Sequence, residues 1–280
     1  MDASMKPGRW RARASALANV ATSASLGYSA RAFRGKRAAR TNGGFFENPD
    51  RACTDGIMAC TIGAYAMQVL SQQALTAVGA KANAAIAAGE VWRLFTPIFL
   101  HGGLSHLMVN MYSLNSIGPM MEATFGREQF LAVYFGSGVV GNYASYRFCA
   151  ANSVGASGSI FGLAGALAVY LHRHRPYLGE RADQQLQSLG TALAVNTLFG
   201  LTSRRVDNWG HGGGLVGGAI LAYLNGPNLK LEPDGEALGK LGKGKLATRR
   251  RKLVNRPVLA SAIESVKKLW DDDDDDDDNA

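Results

Sequence analysis

Apolar stretches alternate with short polar breaks through the middle of the chain, from about residue 56 to residue 226. Each stretch has about the 17 to 25 residues that an α-helix needs to cross a bilayer. The pattern therefore predicts an all-α polytopic membrane protein built as a bundle of six transmembrane helices, over residues 57–75, 104–121, 129–148, 157–173, 186–202 and 209–224.

Several of the predicted helices contain polar residues or closely spaced glycines. Polar groups are costly in lipid, so we expect such residues to face neighbouring helices; they include Gln68, Asn142, Ser145 and Asn196. Glycines four residues apart lie on one helix face and let two backbones approach closely. Two such pairs are present, Gly158 with Gly162 and Gly214 with Gly218.

The basic residues indicate a membrane orientation. If the N-terminus faces inward, the inner segments are the two basic tails, the break with Arg127 and the run from His172 to Arg175. The outer breaks hold fewer charges, chiefly Arg93, Arg147, Arg204 and Arg205. This distribution fits the positive-inside rule with both termini on one side.

The two ends of the chain differ from its apolar middle. Residues 1–40 hold nine Lys or Arg and one acid among many Ala and Ser, which is typical of an organelle transit peptide, a solvated basic tail being the alternative. We therefore expect residues 1–50 to be a transit peptide with a basic flexible segment, and residues 227–280 to be a polar, disordered tail. That tail ends in eight aspartates, Asp271 to Asp278, and no aromatic residues alternate with its basic run, so nucleic-acid binding is not expected.

The composition excludes several classes of protein and of binding site. With 47% apolar and 19% charged residues, the chain can form a substantial core and is not wholly disordered. Three cysteines, Cys53, Cys60 and Cys149, are too few and too irregularly spaced for a disulfide framework or a cysteine-based zinc site. His172 and His174 lie two apart on a predicted inner loop and read as topology signals rather than metal ligands, so no metal or cofactor is predicted.

Three separate features bear chemistry, and the first is the pair His106 and Asn110. Their four-residue spacing puts both on one face of the second predicted helix. Such polar groups inside a bilayer indicate a functional site. Hydrogen bonding between helices is the alternative for this pair taken alone.

The second feature is Ser157, in the run Gly155-Ala156-Ser157-Gly158 at the start of the fourth predicted helix. Backbone N–H groups at a helix start lack intrahelical partners and can stabilise an oxyanion. Ser157 is therefore a candidate nucleophile, although small residues at a helix start can also serve packing alone. The run is not the Gly-x-Ser-x-Gly elbow of soluble hydrolases, because Ser159 stands where that motif needs glycine.

The third feature is His211, which lies among glycines at the start of the last predicted helix. A close neighbouring helix would allow a Ser–His hydrogen bond; packing or proton relay is the alternative for a solitary intramembrane histidine. Together, a serine, a histidine base and nearby oxyanion donors supply the parts of acyl-transfer chemistry without a third acid. Asp207, four residues before His211, is the nearest candidate for an orienting acid.

With these motifs in order along the chain, the sequence resembles the rhomboid intramembrane serine proteases. The match spans about residues 56–226 and includes Trp92-Arg93, His101, His106-x-x-x-Asn110, Glu122, Gly155-Ala156-Ser157-Gly158 and His211-x-x-Gly214-x-x-x-Gly218. The resemblance implies a six-span protease domain over residues 51–226. It implies Ser157 as nucleophile and His211 as general base.

The resemblance also implies roles for the other motif residues. His106, Asn110 and the Ser157 backbone amide would form the oxyanion hole. Structural support would come from Trp92, Arg93, Glu122, Gly155, Gly158, Gly214 and Gly218. Two positions depart from the family pattern: Phe161 replaces a frequent tyrosine, where a ring can still stack on the histidine, and Gly212 replaces a frequent aliphatic residue, which would slightly loosen the last helix.

The expected function is therefore endoproteolysis in or next to a substrate transmembrane helix, in a lipid bilayer and without a cofactor. A non-catalytic rhomboid-like protein that binds membrane helices is the alternative. A small transporter is disfavoured because neither a path of intramembrane charges nor an internal repeat is visible. The residues around Asn115 and before His211 resemble plastid rhomboids of plants and green algae, so a chloroplast membrane is expected, with a mitochondrial or other organelle membrane as the alternative.

Overall fold

The computed structural model describes residues 51–203, 206–233 and 251–264. The predicted transit peptide and the Asp271 to Asp278 run lie outside these residues. The described chain is mostly helical. Eight α-helices have both ends within it: α1 Ala52–Leu70, α2 Ala74–Gly79, α3 Asn83–Ala87, α4 Leu104–Phe125, α5 Arg127–Phe148, α6 Ser157–Leu178, α7 Glu180–Thr202 and α8 Asn208–Asn225. Residues 258–264 are also helical.

The six long helices α1 and α4 to α8 correspond in order to the six predicted helices. Within the described part of the chain, none of them combines the length and the hydropathy required to span a membrane. A first loop between α1 and α4 contains the short helices α2 and α3 and two 3-10 turns, Val91–Leu94 and Thr96–Phe99.

Helix α1 begins five residues before its predicted start because a buried carboxylate holds its first turn. Glu122 of α4 accepts hydrogen bonds from the Cys53 and Thr54 backbone amides, each at 2.8 Å, and from the Thr54 hydroxyl at 2.9 Å. The first amides of a helix have no intrahelical partner, and a negative charge there also interacts favourably with the helix dipole. Glu122 therefore supplies a cap from another helix, which local sequence does not reveal.

The predicted inner loop from His172 to Arg175 is wrong, because these residues belong to α6, which continues to Leu178. The chain reverses at Gly179 alone, with a φ of +57° that favours glycine, and α7 then starts at Glu180, six residues before its predicted start. His174 is buried, and its ring nitrogens pair with the Tyr170 carbonyl oxygen and the Leu229 amide.

Part of the segment predicted to be a disordered tail has regular structure. Strand β1 (Leu229–Pro233) pairs antiparallel with strand β2 (Arg251–Asn255), with Leu229 opposite Asn255. These ten residues and the helical residues 258–264 therefore depart from the expected disordered tail. The run Leu229-Lys230-Leu231-Glu232 alternates apolar and polar residues, which is the pattern of a half-buried strand.

Helix α6 occupies the centre of the bundle and contacts α4, α5, α7 and α8. The core around it consists of large apolar side chains from α4 to α7, among them Leu114, Ile117, Met121, Phe130, Tyr134, Leu163, Leu171 and Leu189. The prediction that polar residues face protein is confirmed for Gln68 and Ser145, which are both fully buried.

The contact between α6 and α8 is made by glycine backbone, as the four-residue spacing predicted. A side chain added at Gly214 would overlap the carbonyl oxygen of Gly158, and one added at Gly218 would overlap that of Gly162. On the other flank of α8, a Cβ at Gly141 of α5 would lie 2.6 Å from the Gly210 carbonyl oxygen. Only glycine permits helices to approach this closely.

We expect Gly214→Ala to destabilise the bundle and Gly212→Ala to leave it intact. The added methyl at 214 meets backbone that cannot move aside, so the free energy of unfolding should fall by about 1–3 kcal/mol. Gly212 is exposed with open space around its Cβ position, so the same change there should be neutral or stabilising by up to about 1 kcal/mol. Thermal unfolding of both variants in one detergent measures the difference; equal melting temperatures would contradict this packing.

Candidate active site

The site centres on Ser157 and His211, which come from helices α6 and α8. The Nε2 atom of His211 lies 2.8 Å from the Ser157 Oγ, which is hydrogen-bonding distance. The two residues are 54 positions apart in the chain. They meet because the glycine contact between α6 and α8 brings the first turns of both helices together.

Ser157 is the first residue of α6, and the segment before it is held from two sides. The Gly155 amide donates to the Pro97 carbonyl oxygen at 2.9 Å. Gly155 has a φ of +139°, and a Cβ there would lie 2.8 Å from Cε1 of His106. Both its conformation and the nearby imidazole therefore require glycine at 155.

His211 lies in the first turn of α8 and is held by a ring stack. The ring of Phe161, one turn after Ser157 on α6, stacks on the His211 imidazole with centroids 4.3 Å apart and planes 12° from parallel. Phe161 therefore fixes the plane of the imidazole, as the sequence suggested a ring at this position would. The His211 Nδ1 atom is buried and has no hydrogen-bond partner among the described residues.

Asp207 does not pair with the His211 ring, so its candidate role as an orienting acid for that ring is wrong. Its side chain caps α8 instead: Oδ1 accepts from the Gly210 amide at 2.8 Å, and Oδ2 accepts from the Ser145 hydroxyl in a short hydrogen bond. This is the usual N-cap arrangement, in which a carboxylate binds an amide of the first turn. Asp207 therefore acts on the helix that carries His211.

His106 and Asn110 face the same space as the Ser–His pair. The Asn110 side-chain amide donates to the His106 carbonyl oxygen at 2.8 Å, and His106 Nδ1 accepts from the Gly102 amide at 3.4 Å. A cavity of about 700 Å³ is lined by both of them together with Ser157 and His211. The four residues singled out from the sequence thus share one cavity.

Two helices form the side walls of this cavity. One wall comes from the face of α4 that carries Val109, Asn110, Ser113 and Ile117. The other comes from α7, through residues that include Leu189, Ala192, Asn196 and Phe199. The cavity therefore has a polar end at the Ser–His pair and side walls that are mostly apolar.

Trp92 and Arg93 lie in the first loop, away from the Ser–His pair. The Trp92 indole N–H donates to the Val78 carbonyl oxygen at 3.2 Å. The Arg93 guanidinium is buried, donates to the carbonyl oxygens of Ala77 and Ala80 at 2.9 Å, and pairs with Glu90 at 2.6 Å. Both residues thus satisfy carbonyl groups near the end of α2, where a helix lacks its own donors.

Sequence reasoning missed a contact that supports the start of α4. The Gln68 side chain of α1 accepts from the His101 amide at 3.0 Å and donates to the His101 carbonyl oxygen at 3.1 Å. The His101 ring packs edge-on against His106 with centroids 5.0 Å apart. Burial, followed by the neighbouring His106, lowers the pKa of His101 to about 4, so this ring is neutral at pH 7.

Sequence reasoning also missed Lys81, a fully buried lysine in the first loop. Burial lowers the pKa of its ammonium group, and the Asp207 carboxylate opposes that shift. The sequence signal that could have indicated this buried residue is a single lysine within the alanine-rich stretch before Trp92.

Metal binding was not expected from the sequence. Among the residues that the structure describes, no cluster of three or more His, Cys, Asp or Glu side chains could hold a metal ion. His172 and His174, the histidine pair considered earlier, lie on helix α6 rather than on a loop.

Comparison with known proteins agrees with the motifs. The family model described as Rhomboid domain matches residues 88–228, about half of the chain. Among curated proteins, the chain is 36% identical to the putative rhomboid protease YdcA of Bacillus subtilis over 144 residues, which are 51% of this chain and 71% of that protein.

Two longer relatives match over a smaller part of their length. The rhomboid protease GluP of Bacillus subtilis is 42% identical over 158 residues, 55% of this chain and 30% of GluP. The chloroplastic RHOMBOID-like protein 9 of Arabidopsis thaliana is 32% identical over 160 residues, 56% of this chain and 36% of that protein. The chain thus spans about a third of the length of these two relatives. The domain match and the identity to YdcA together show that the chain belongs to the rhomboid family.

Proposed function

We propose that the chain is an intramembrane serine endopeptidase in which Ser157 is the nucleophile and His211 its general base. The observation that carries the proposal is the 2.8 Å contact between His211 Nε2 and Ser157 Oγ at the polar end of a cavity. Relatives named rhomboid proteases support the same reaction class. A nucleophile within hydrogen-bond reach of a base is the arrangement that activates a serine hydroxyl.

In the proposed first step, Ser157 Oγ attacks the carbonyl carbon of the scissile peptide bond. His211 Nε2 takes the hydroxyl proton as the C–O bond forms and gives it to the departing amine as the C–N bond breaks. In the second step a water molecule in the cavity attacks the acyl-enzyme, with His211 again as base, and Ser157 is regenerated. Because Nε2 accepts the proton, the neutral His211 ring carries its own N–H on Nδ1. The proton transfers balance without a carboxylate to bind that N–H.

The proposed oxyanion hole consists of the Ser157 amide, the Asn110 side chain and His106. The Ser157 amide is at a helix start, where it lacks an intrahelical acceptor. The Asn110 side chain carries two N–H donors, of which one bonds the His106 carbonyl oxygen and the second is available to a substrate oxygen. These groups would stabilise charge that develops on the carbonyl oxygen in the transition state.

We propose that the helical bundle lies in a lipid bilayer with six spans and that its substrates are transmembrane proteins. Large apolar side chains are exposed on the outward faces of several helices, including Leu70, Met108, Leu198, Leu201 and Ile220. Exposed apolar patches are typical of surfaces that contact lipid or protein. Buried polar residues such as Gln68 and Glu122 are paired inside the bundle, as a bilayer would require.

We expect Ser157→Ala and His211→Ala to abolish cleavage of a model transmembrane substrate and Asn110→Ala to reduce it. Loss of a nucleophile or base costs on the order of a million-fold in turnover, whereas loss of one oxyanion donor costs about 100- to 1,000-fold. Cleavage in liposomes and covalent labelling by a fluorophosphonate probe measure both effects. Labelling of the Ser157→Ala variant at the wild-type rate would contradict the serine mechanism. A folded wild-type protein that binds helices but neither cleaves nor labels would instead be the non-catalytic alternative.

We expect Phe161→Tyr to keep the fluorophosphonate labelling rate and Phe161→Leu to lower it by about 2- to 10-fold. An aromatic stack contributes about 0.5–1.5 kcal/mol, and without it the His211 ring is less firmly oriented. Phe148→Leu is the matched control, because the Phe148 ring packs against Trp209 of the same helix α8, with centroids 4.8 Å apart and planes tilted by 33°. Equal labelling rates for the two leucine variants would show that the Phe161 stack has no role in activating Ser157.

We propose a chloroplast membrane as the location, supported by the basic, acid-poor N-terminal segment and the chloroplastic relative. A fluorescent protein fused to residues 1–50 should be imported by isolated chloroplasts, because Arg- and Ser-rich segments with few acids direct import. The same fusion with its nine basic residues of positions 1–40 changed to glutamine should stay outside. Import by isolated mitochondria alone would replace this location with the mitochondrial one.

A further inference from the structure

A buried charge outside the Ser–His pair is bonded to the segment that leads to Ser157. The Lys81 ammonium of the first loop donates to Asn83 Oδ1 at 3.0 Å and to the carbonyl oxygens of Cys149 and Ala151 at 2.9 and 2.6 Å. An ammonium group has three donors, so its hydrogen bonds are satisfied. Burying a lysine is costly unless it is bonded in this way. The Lys81 ammonium is therefore buried with hydrogen-bond partners for its donors.

These bonds cap the C-terminal end of α5. The last carbonyl groups of a helix lack intrahelical donors, and a positive charge there also opposes the negative end of the helix dipole. The Asn83 side chain adds bonds to the carbonyl oxygens of Tyr146 and Cys149, both at 3.1 Å. The first loop thus ties down the end of α5 through two side chains.

The backbone of Lys81 extends the same attachment toward the nucleophile. Lys81 and Ser153 form an antiparallel β-bridge, with N···O distances of 3.0 and 3.2 Å. Ser153 lies four residues before Ser157. The segment from Cys149 to Ser153 is therefore bonded to Lys81 through both its side chain and its backbone.

A buried serine joins this attachment to the helix that carries His211. Ser145, in the last turn of α5, donates its hydroxyl proton to Asp207 and directs its carbonyl oxygen toward the Lys81 ammonium at 3.5 Å. Asp207 in turn caps the Gly210 amide of α8. Ser145 therefore contacts both charged groups. One is the Lys81 ammonium, which bonds the segment before Ser157, and the other is the Asp207 carboxylate, which caps the helix that carries His211.

We propose that Lys81, Ser145 and Asp207 are positioning residues that hold the Ser157 segment in register with the first turn of α8. This inference rests on the proposed serine peptidase function. Lys81 lies outside the cavity lining, so it acts on the reaction through the backbone it holds and not by contact with the substrate. The network sets the distance between Ser157 Oγ and His211 Nε2, to which the rate of the chemical step is sensitive. A misplacement of about 1 Å can cost about 100-fold in rate.

The test compares Lys81→Met, Asp207→Asn and the double variant with the matched control Arg147→Met. Arg147 is an exposed cation in the last turn of α5, so its replacement removes a positive charge from the same helix end without touching the network. We expect Lys81→Met to lower kcat and the fluorophosphonate labelling rate about 100-fold with KM unchanged, and Arg147→Met to leave all three unchanged. The double variant should be no slower than the slower single variant, because residues of one network do not contribute independently.

Each rate is normalised to the folded fraction, measured by thermal unfolding and size exclusion in the same detergent. If Lys81→Met does not fold, Ser145→Ala carries the test, because it removes one hydroxyl and keeps both charges; we expect a lower kcat and labelling rate at unchanged KM. Folded variants with kcat within twofold of wild type, or losses that multiply in the double variant, would overturn the proposal. If the wild-type protein itself is not labelled, the proposed peptidase function is refuted. That result needs no variant, so it is distinct from a failure of the network proposal.

Discussion

The backbone contact between α6 and α8 is the constraint on which the rest of the structure depends. Gly214 and Gly218 lie against the carbonyl groups of Gly158 and Gly162, so the two helix axes are closer than side chains would permit. At this distance an imidazole in the first turn of α8 reaches the hydroxyl at the start of α6. A wider spacing would leave both groups in the cavity but out of hydrogen-bonding contact.

Buried polar groups fix the parts of the bundle that glycine contacts cannot. Glu122 holds the start of α1, and Gln68 of α1 in turn binds the backbone of His101, next to the helix that carries His106 and Asn110. Both side chains are hydrogen-bonded. A buried polar group without a partner would cost more free energy than a single hydrogen bond contributes to stability. The first helix thus influences the site through bonds to α4 and to the loop before it.

The first loop has a structural role that extends beyond its own residues. Arg93 closes the end of α2, and Lys81 closes the end of α5 and bonds the approach to Ser157. In both places a cation satisfies carbonyl groups at a helix C-terminus, where the dipole favours positive charge. The loop therefore holds both the end of α5 and the segment that leads to Ser157.

The sequence by itself determined the order of the six long helices, the glycine faces and the residue types capable of acyl transfer, because these depend on local hydropathy and on spacing along one helix. It misjudged the start of α1 and the turn at Gly179, where the decisive partners are Glu122 on another helix and a single left-handed residue. Only the tertiary structure decided that the Ser145 hydroxyl of α5 binds the Asp207 carboxylate, which does not pair with the His211 ring, and that Lys81 is buried against α5. Both outcomes depend on contacts between residues more than 60 positions apart, such as Ser145 with Asp207, and no local pattern encodes such contacts.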